Sequence, residues 1–275
     1  MRAFVAALLL ALAPAAQAAA IDESVMRVPV VAGLEQAYID VTVFKPHGDG
    51  PFPLLVLSHG SPRSAEDRRR EGRQRLPAQS ERFVQMGFAV LVPTRRGYGG
   101  SGGAWAETYG TCTQPDYHAA GLETARDLRA ALDAVRGEPW ADTSRIVLAG
   151  QSAGGFGSVA ASATEIPGLV GVINFAGGRG SMGPNQVCGE ARLVEAMALY
   201  GRTARVPELW VYSENDLFFP PALARRMHAA FVAAGGRAEF VQAPATGLDG
   251  HGYFARAMHD WSPRVEGFLR RIGAR

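Results

Sequence analysis

The segment Gly150-Gln151-Ser152-Ala153-Gly154 has the pattern G-x-S-x-G. A short apolar run, Ile146–Ala149, precedes it, and a stretch of small residues, Gly155–Ala163, follows it. In a strand–turn–helix context this pattern is typical of a nucleophile elbow, a tight turn that exposes a serine hydroxyl. The spacing therefore predicts that Ser152 is a nucleophile at the carboxyl edge of a sheet.

A serine hydroxyl needs a histidine to remove its proton and an acid to orient that histidine. In chains with such an elbow, the acid and then the histidine follow the serine. One later turn contains Glu214 and Asp216, and a glycine-flanked turn contains Asp249 and His251. We expect His251 to be the general base and Asp216 to orient it. Glu214 is the weaker alternative acid, and Asp249 is too close to His251 in sequence to bond its ring well.

An acyl-transfer serine also needs hydrogen-bond donors for the oxyanion that forms during attack. The residue after the nucleophile, Ala153, supplies one backbone N–H in this architecture. The second donor is expected from the loop after the apolar run 54–57. Because Pro62 has no N–H, Ser61 is the best candidate there. His59 is expected to pack locally rather than to transfer protons.

Aromatic residues near these turns are candidates for the walls of a substrate cleft. We expect Tyr98, Trp105, Phe218 and Tyr253 to bind substrate, although each could instead belong to the core. The segment 183–207 is short for a large lid, so the cleft is expected to be open and to suit small or medium substrates.

Short apolar strands alternate with helical segments along the chain, which favours a mostly parallel sheet with helices on both faces. The segments Val25–Val31 and Ala37–Phe44 predict an opening hairpin. The charged stretch Ala65–Arg75 has no apolar face and is expected to be a solvated loop. No boundary or repeat divides the chain. The sequence therefore predicts one α/β domain over 21–275, with about eight strands and a small lid or none.

The first twenty residues have the pattern of a cleavable signal peptide. Arg2 precedes the apolar run Phe4–Leu12, and Ala16-Gln17-Ala18 is an A-x-A cleavage site. The apolar run is too short to span a bilayer. We therefore expect export, to the periplasm or beyond, and no stable membrane insertion.

Export makes the two cysteines informative, because disulfides persist in oxidising compartments. Cys112 and Cys188 lie in two long irregular stretches, 94–116 and 176–189. A disulfide between them is expected, and two separate buried thiols are the alternative.

The formal net charge is only +2, which does not suggest a nucleic acid or an anionic membrane as a partner. No histidine pairs with another histidine, a cysteine or a carboxylate at convincing metal-ligand spacing, so we predict no metal and no cofactor. The expected partner is a small-molecule ester or a short peptide. The sequence does not indicate the oligomeric state.

The elbow 150–154, the His59-Gly60 turn, Asp216 and His251 together resemble the α/β-hydrolase superfamily. The two acidic turns resemble its dienelactone-hydrolase-related branch, and the segment 96–102 is similar to prolyl-oligopeptidase-like serine hydrolases. Dienelactone hydrolases proper use a cysteine nucleophile, so the resemblance implies a fold and a triad but not that substrate. Together with the predicted signal peptide, it implies a secreted serine hydrolase of carboxylic esters. The alternatives are a serine peptidase and a non-catalytic binding protein of the same fold.

Overall fold

A computed structural model describes residues 21–275 of the chain. The predicted signal peptide, 1–20, lies outside the described residues. Among residues 21–275, no helix is both long and apolar enough to cross a membrane.

The strands of the described residues are β1 Ile21–Ala32, β2 Glu35–Pro46, β3 Phe52–Ser58, β4 Ala89–Thr94, β5 Gly110–Thr111, β6 Gln114–Pro115, β7 Ala141–Gln151, β8 Leu169–Phe175, β9 Ser181–Gly183, β10 Gln186–Val187, β11 Pro207–Ser213 and β12 Arg237–Ala243. The centre of the molecule is a sheet of eight of these strands in the order β1-β2-β4-β3-β7-β8-β11-β12, and two small hairpins, β5-β6 and β9-β10, lie apart from it.

Within the central sheet, β2 pairs antiparallel with both β1 and β4. All the remaining neighbours, from β4 through β3, β7, β8 and β11 to β12, pair in parallel. The predicted mostly parallel sheet and the predicted opening hairpin are therefore confirmed. Because parallel strands end at one edge, the loops that follow them meet there.

Helices cover both faces of the sheet. They are α1 Ala65–Arg70, α2 Pro77–Gln85, α3 Tyr117–Asp133, α4 Ala153–Ser162, α5 Glu190–Gly201, α6 Pro221–Ala233, α7 Tyr253–Arg256 and α8 Met258–Arg271. Buried side chains of α3, α4, α5 and α6 form one apolar cluster against the sheet, and those of α2, α7 and α8 form another. Strand β7 contributes side chains to both clusters: Ile146 and Leu148 belong to the first, and Val147 and Ala149 belong to the second.

The expectation of a solvated loop over Ala65–Arg75 is wrong for its first part, which forms α1. Ser64 caps this helix by accepting a hydrogen bond from the Asp67 N–H at 3.0 Å. Arg68 leaves the solvent because its guanidinium lies 3.7 Å from the centre of the Trp105 ring. A cation that stacks on an aromatic ring supplies the buried contact that the charged sequence did not suggest.

Candidate active site

Ser152 lies between β7 and α4 in a backbone conformation that is rare for a residue with a side chain. Its φ is 58° and its ψ is −124°. The flanking glycines make this turn feasible. A Cβ atom at Gly154 would lie 2.1 Å from the Ser58 carbonyl oxygen, and one at Gly150 would lie 2.4 Å from the Gly154 carbonyl carbon. The strand–turn–helix context that the sequence predicted for the elbow is present.

Asp216 and His251 come together from two different loops after strand ends. The Nδ1 atom of His251 lies 3.2 Å from the Oδ2 atom of Asp216. The other oxygen of Asp216 accepts hydrogen bonds from the N–H groups of Phe218 and Phe219 at 2.8 and 3.0 Å. These bonds fix the buried carboxylate, and the carboxylate can orient the imidazole.

The two rival carboxylates have other partners. Glu214 is exposed and accepts a hydrogen bond from the Ala245 N–H at 3.2 Å. Asp249 accepts bonds from the N–H groups of Leu217 and His251, at 3.0 and 2.9 Å. Asp249 thus joins the acidic loop to the histidine loop through their backbones, while Asp216 contacts the imidazole itself.

The His251 ring is held flat against the Phe218 ring, with the two centres 3.9 Å apart and the planes within 8°. The side-chain amide of Gln151 also donates to the His251 carbonyl at 3.1 Å. Ser152 and His251 line one cavity of about 670 Å³. Over residues 21–275, no hydrogen bond joins the Ser152 hydroxyl to His251, and such bonds often tighten only when substrate binds.

The loop after β3 lies directly beside the elbow. A Cβ atom at Gly60 would lie 3.5 Å from the Cβ of Ser152. Ser61 and Ala153 both line a second cavity at Ser152, of about 120 Å³. Ala153 is the first residue of α4, so its N–H has no acceptor within the helix. Both candidate oxyanion donors are therefore near Ser152.

His59 packs locally, as the sequence suggested. Its Nδ1 lies 2.7 Å from the Gly60 carbonyl, and its Nε2 accepts a bond from the Arg95 N–H at 3.2 Å. Burial, together with the charge of Arg95, lowers the pKa of His59 well below its ordinary value. A neutral ring with both nitrogens bonded to the backbone is a structural element of the loop.

Two of the four predicted wall residues lie on the smaller cavity, namely Trp105 and Phe218. The other two are placed elsewhere. Tyr98 is fully buried and donates to Glu107 at 2.8 Å. Tyr253 packs in the cluster beneath α7 and α8 and donates to Asp260 at 2.8 Å.

Sequence reasoning missed the arginines of the smaller cavity. Arg63, Arg68 and Arg179 all line it. Arg68 belongs to the charged stretch Ala65–Arg75, which the sequence predicts as a solvated loop, and no motif distinguishes Arg63 or Arg179 from surface arginines. Among the described residues, no three His, Cys, Asp or Glu side chains are grouped as metal ligands.

A buried ion network lies behind this cavity. Glu107 accepts hydrogen bonds from Arg95, from Arg179 at 2.6 Å and from the Tyr98 hydroxyl at 2.8 Å. Burial disfavours the charged form of Glu107, but the guanidinium groups of Arg179 and Arg95 outweigh this effect and lower its pKa. With two cations and one anion, the network leaves one net positive charge beside the cavity.

Cys112 and Cys188 form a disulfide, so the expected pairing is present. Cys112 lies in the turn of the β5-β6 hairpin, and Cys188 follows the β9-β10 hairpin directly. Tyr109, just before the first hairpin, and Met182, within the second, line the smaller cavity. The disulfide thus ties together two parts of the cavity wall.

The parallel sheet and the serine on a strained strand-to-helix turn define a protein of the α/β-hydrolase class. The family model of the X-Pro dipeptidyl-peptidase (S15 family) matches residues 36–205, which is more than half of the chain. The chain belongs to this family, and it is therefore a hydrolase of a serine-hydrolase family. No curated protein sequence matches it.

Solved structures with the same fold include peptidases and esterases. Pyrococcus horikoshii acylaminoacyl peptidase aligns with a TM-score of 0.66 and 17% identity over 91% of this chain, which spans 42% of that protein. An esterase of Pyrococcus furiosus aligns with a TM-score of 0.60 and 16% identity, covering 91% of this chain and 90% of the esterase. A putative dienelactone hydrolase from Klebsiella pneumoniae has a TM-score of 0.57 and 19% identity, with 92% and 99% coverage. At sequence identities this low, these alignments show that the fold is shared and nothing more specific.

Proposed function

We propose that this chain is a serine hydrolase that cleaves carboxylic esters through an acyl-enzyme. Ser152 attacks the ester carbonyl while His251 takes its proton, and His251 then protonates the departing alcohol. Water, deprotonated by the same imidazole, attacks the acyl-enzyme and releases the acid. The observation that most supports this proposal is the 3.2 Å contact between His251 Nδ1 and Asp216 Oδ2, in a loop whose histidine shares a cavity with Ser152.

In the proposed mechanism Asp216 stays ionised and holds the imidazole in the tautomer that has Nε2 free to accept the serine proton. The backbone N–H groups of Ala153 and Ser61 stabilise the oxyanion, because both residues border the cavity at Ser152. Trp105 and Phe218 supply apolar wall on the same side.

A serine peptidase is the second candidate, and the match to a peptidase family favours it. The acyl-enzyme chemistry is the same, but the leaving group is an amine. Peptidases that take a free amino terminus need an acidic partner for it. Among the described residues, Asp67 and Glu71 line the larger cavity, but no Asp or Glu lines the smaller one. The cleavage of an ester or an N-blocked amide fits the lining of the smaller cavity better.

The direct test is hydrolysis by the purified protein of short-chain p-nitrophenyl esters and of peptide p-nitroanilides. We expect Ser152→Ala to lose roughly 10⁴-fold or more in kcat on any substrate that is turned over. Ser24→Ala, an exposed serine on β1, is the matched control and retains wild-type rates. Undiminished hydrolysis by Ser152→Ala would refute the proposal, and a higher kcat/KM on anilides than on esters would favour the peptidase.

Export completes the proposal: residues 1–20 act as a signal peptide, and 21–275 form a single hydrolase domain. Mass spectrometry of the protein recovered from the cell exterior or periplasm should find an amino terminus between Ala19 and Ile21. Recovery of the intact chain from the cytoplasm would contradict export.

A further inference from the structure

The two cavities at Ser152 differ in charge. The larger one, which His251 borders, is also lined by Arg63, Asp67 and Glu71, so it contains both signs of charge. The smaller one is lined by three arginines, and within residues 21–275 it has no acidic side chain. A cavity whose only charged groups are cations attracts an anionic group.

Of the three arginines, Arg68 has the guanidinium that is best preorganised to bind an anion. Its side chain lies against the Trp105 ring, and its Nη1 donates to the carbonyls of Pro62 and Arg63 at 3.2 and 3.3 Å. The residue is only 8% exposed. These contacts fix the guanidinium plane before any ligand arrives, so little conformational entropy is lost when it binds.

Among the described residues Arg68 makes no ion pair or hydrogen bond to a carboxylate, and Glu71 is the acidic group close enough to be affected by its charge. The Nε and Nη2 of Arg68, the edge that offers two parallel N–H groups to a carboxylate, make no hydrogen bond within the described residues. A buried cation without an anion is costly to the fold. A substrate that carries an anionic group would offset this cost when it binds.

Arg179 also lines this cavity, mostly buried in its wall. Its Nη2 donates to Glu107 and to Thr124 at 2.6 and 2.8 Å, but its buried Nε has no partner. The residue is 4% exposed. Arg63 is the third cation of this cavity. It donates hydrogen bonds to the hydroxyl and the carbonyl of Ser181, at 2.8 and 3.1 Å, and its guanidinium lies over the face of Phe218.

The chemistry of the proposed reaction decides which half of the substrate meets these arginines. His251 must protonate the leaving group, so the leaving group lies in the larger cavity, which His251 borders. The acyl half then extends from Ser152 in the other direction, past Ala153 into the smaller cavity.

We propose that the substrate's acyl group bears a carboxylate, which Arg68 binds through its Nε and Nη2 with Arg179 beside it. The substrates are half-esters or half-amides of short dicarboxylic acids, such as glutaryl compounds, since the cavity measures only about 120 Å³. This inference rests on the proposed function, because it assumes acyl transfer at Ser152.

The test compares ethyl hydrogen glutarate with its neutral isostere ethyl 4-carbamoylbutanoate, by titration of released acid. We expect wild-type kcat/KM to favour the half-ester by about tenfold or more, the effect of one charge-assisted hydrogen bond. Arg68→Gln should abolish the preference, and Arg68→Lys, which retains the charge, should retain part of it. Arg69→Gln, an exposed arginine on the same helix and outside the cavity, is the control and should keep the wild-type preference.

Equal kcat/KM for the two esters in the wild-type protein, or an equal loss of preference in Arg68→Gln and Arg69→Gln, would overturn the inference. Calorimetric binding of ethyl hydrogen glutarate to Ser152→Ala separates the two proposals. If the neutral ester is hydrolysed in a Ser152-dependent way but the half-ester does not bind, the proposed function stands and the carboxylate site fails. If Ser152→Ala binds the half-ester and Ser152→Ala/Arg68→Gln does not, the site stands even where neither ester is hydrolysed.

Discussion

Three carboxylates in the turns that follow β11 and β12, namely Glu214, Asp216 and Asp249, are candidates to orient His251, and their hydrogen-bond partners separate their roles. Asp216 contacts the imidazole at 3.2 Å, whereas Glu214 bonds to the Ala245 N–H. We expect Asp216→Asn to lower kcat by roughly 10³–10⁴-fold, because the amide cannot hold the productive tautomer. Glu214→Gln is the control and should stay within about twofold. Steady-state kinetics of both variants on one ester tests which carboxylate orients His251. A larger loss of kcat for Glu214→Gln than for Asp216→Asn would assign that role to Glu214 instead.

Glu208, a buried side chain on β11, has surroundings that favour its protonated form. The Ser162 hydroxyl has one proton but two acceptors within reach, the Val159 carbonyl at 2.8 Å and Glu208 Oε1 at 2.6 Å. A protonated Glu208 can therefore donate to Ser162 and accept from Trp210 at 2.6 Å. Burial raises the pKa of Glu208 from 4.5 to about 8, which agrees with this pattern.

This raised pKa makes stability depend on pH. Between pH 4.5 and 8 the folded protein keeps a proton that the unfolded chain releases, so the free energy of unfolding falls as pH rises through this range. Glu208→Gln retains both hydrogen bonds without a titrating group, and we expect its Tm to lose less between pH 5 and about 9 than the wild type loses. Glu239→Gln, an exposed glutamate on β12, is the control and should follow the wild type. Parallel Tm curves for wild type and Glu208→Gln would contradict the assignment.

At the residue scale, the candidate polar groups left a clearer pattern in the sequence than the residues of the cavity walls did. Ser152 and His251 stand in turns that are short, glycine-rich and specific in pattern. Tyr98 and Tyr253 were misplaced because aromatic character does not indicate which face of a loop a side chain occupies. No sequence pattern indicated that Arg68 is buried, because its burial depends on the Trp105 ring, which is distant in sequence.

At the scale of elements, periodicity and apolar runs predicted the central strands and most helices, because burial on one or both faces leaves a regular pattern. Helix α1 was missed for lack of an apolar face. Helix α8 contains Pro263, a residue common in first turns, yet it begins earlier, at Met258. Burial of Trp261 extends it in the amino-terminal direction, a tertiary effect that local pattern does not contain.

The disulfide acts at this scale, since it joins the two hairpin regions that wall the smaller cavity. The bond closes a separation of 76 residues. By chain entropy such a loop contributes about 4 kcal/mol to stability. We expect the double variant Cys112→Ser/Cys188→Ser to have a Tm lower by several degrees and a higher KM. Dithiothreitol should lower the Tm of the wild type and leave that of the double variant unchanged. A wild-type Tm that does not respond to reduction would contradict a structural role for the bond.

At the scale of the whole molecule, the sheet places loops from distant parts of the chain at one edge. Ser152, Asp216 and His251 each follow a strand of the parallel part of the sheet, namely β7, β11 and β12. The topology could be predicted because parallel strands alternate with helices. The charge of the two cavities could not be predicted from the sequence, because it depends on which loops fold over this edge of the sheet.

The central claim is that Ser152 is an activated nucleophile. Its most direct measurement is labelling of the folded protein with a fluorophosphonate probe, followed by mass spectrometry of the proteolysed product. We expect one adduct, on the peptide that contains Ser152, and its loss in Ser152→Ala, in His251→Ala and after unfolding in urea. A folded wild-type protein that acquires no adduct, or acquires it at another serine, would contradict the claim.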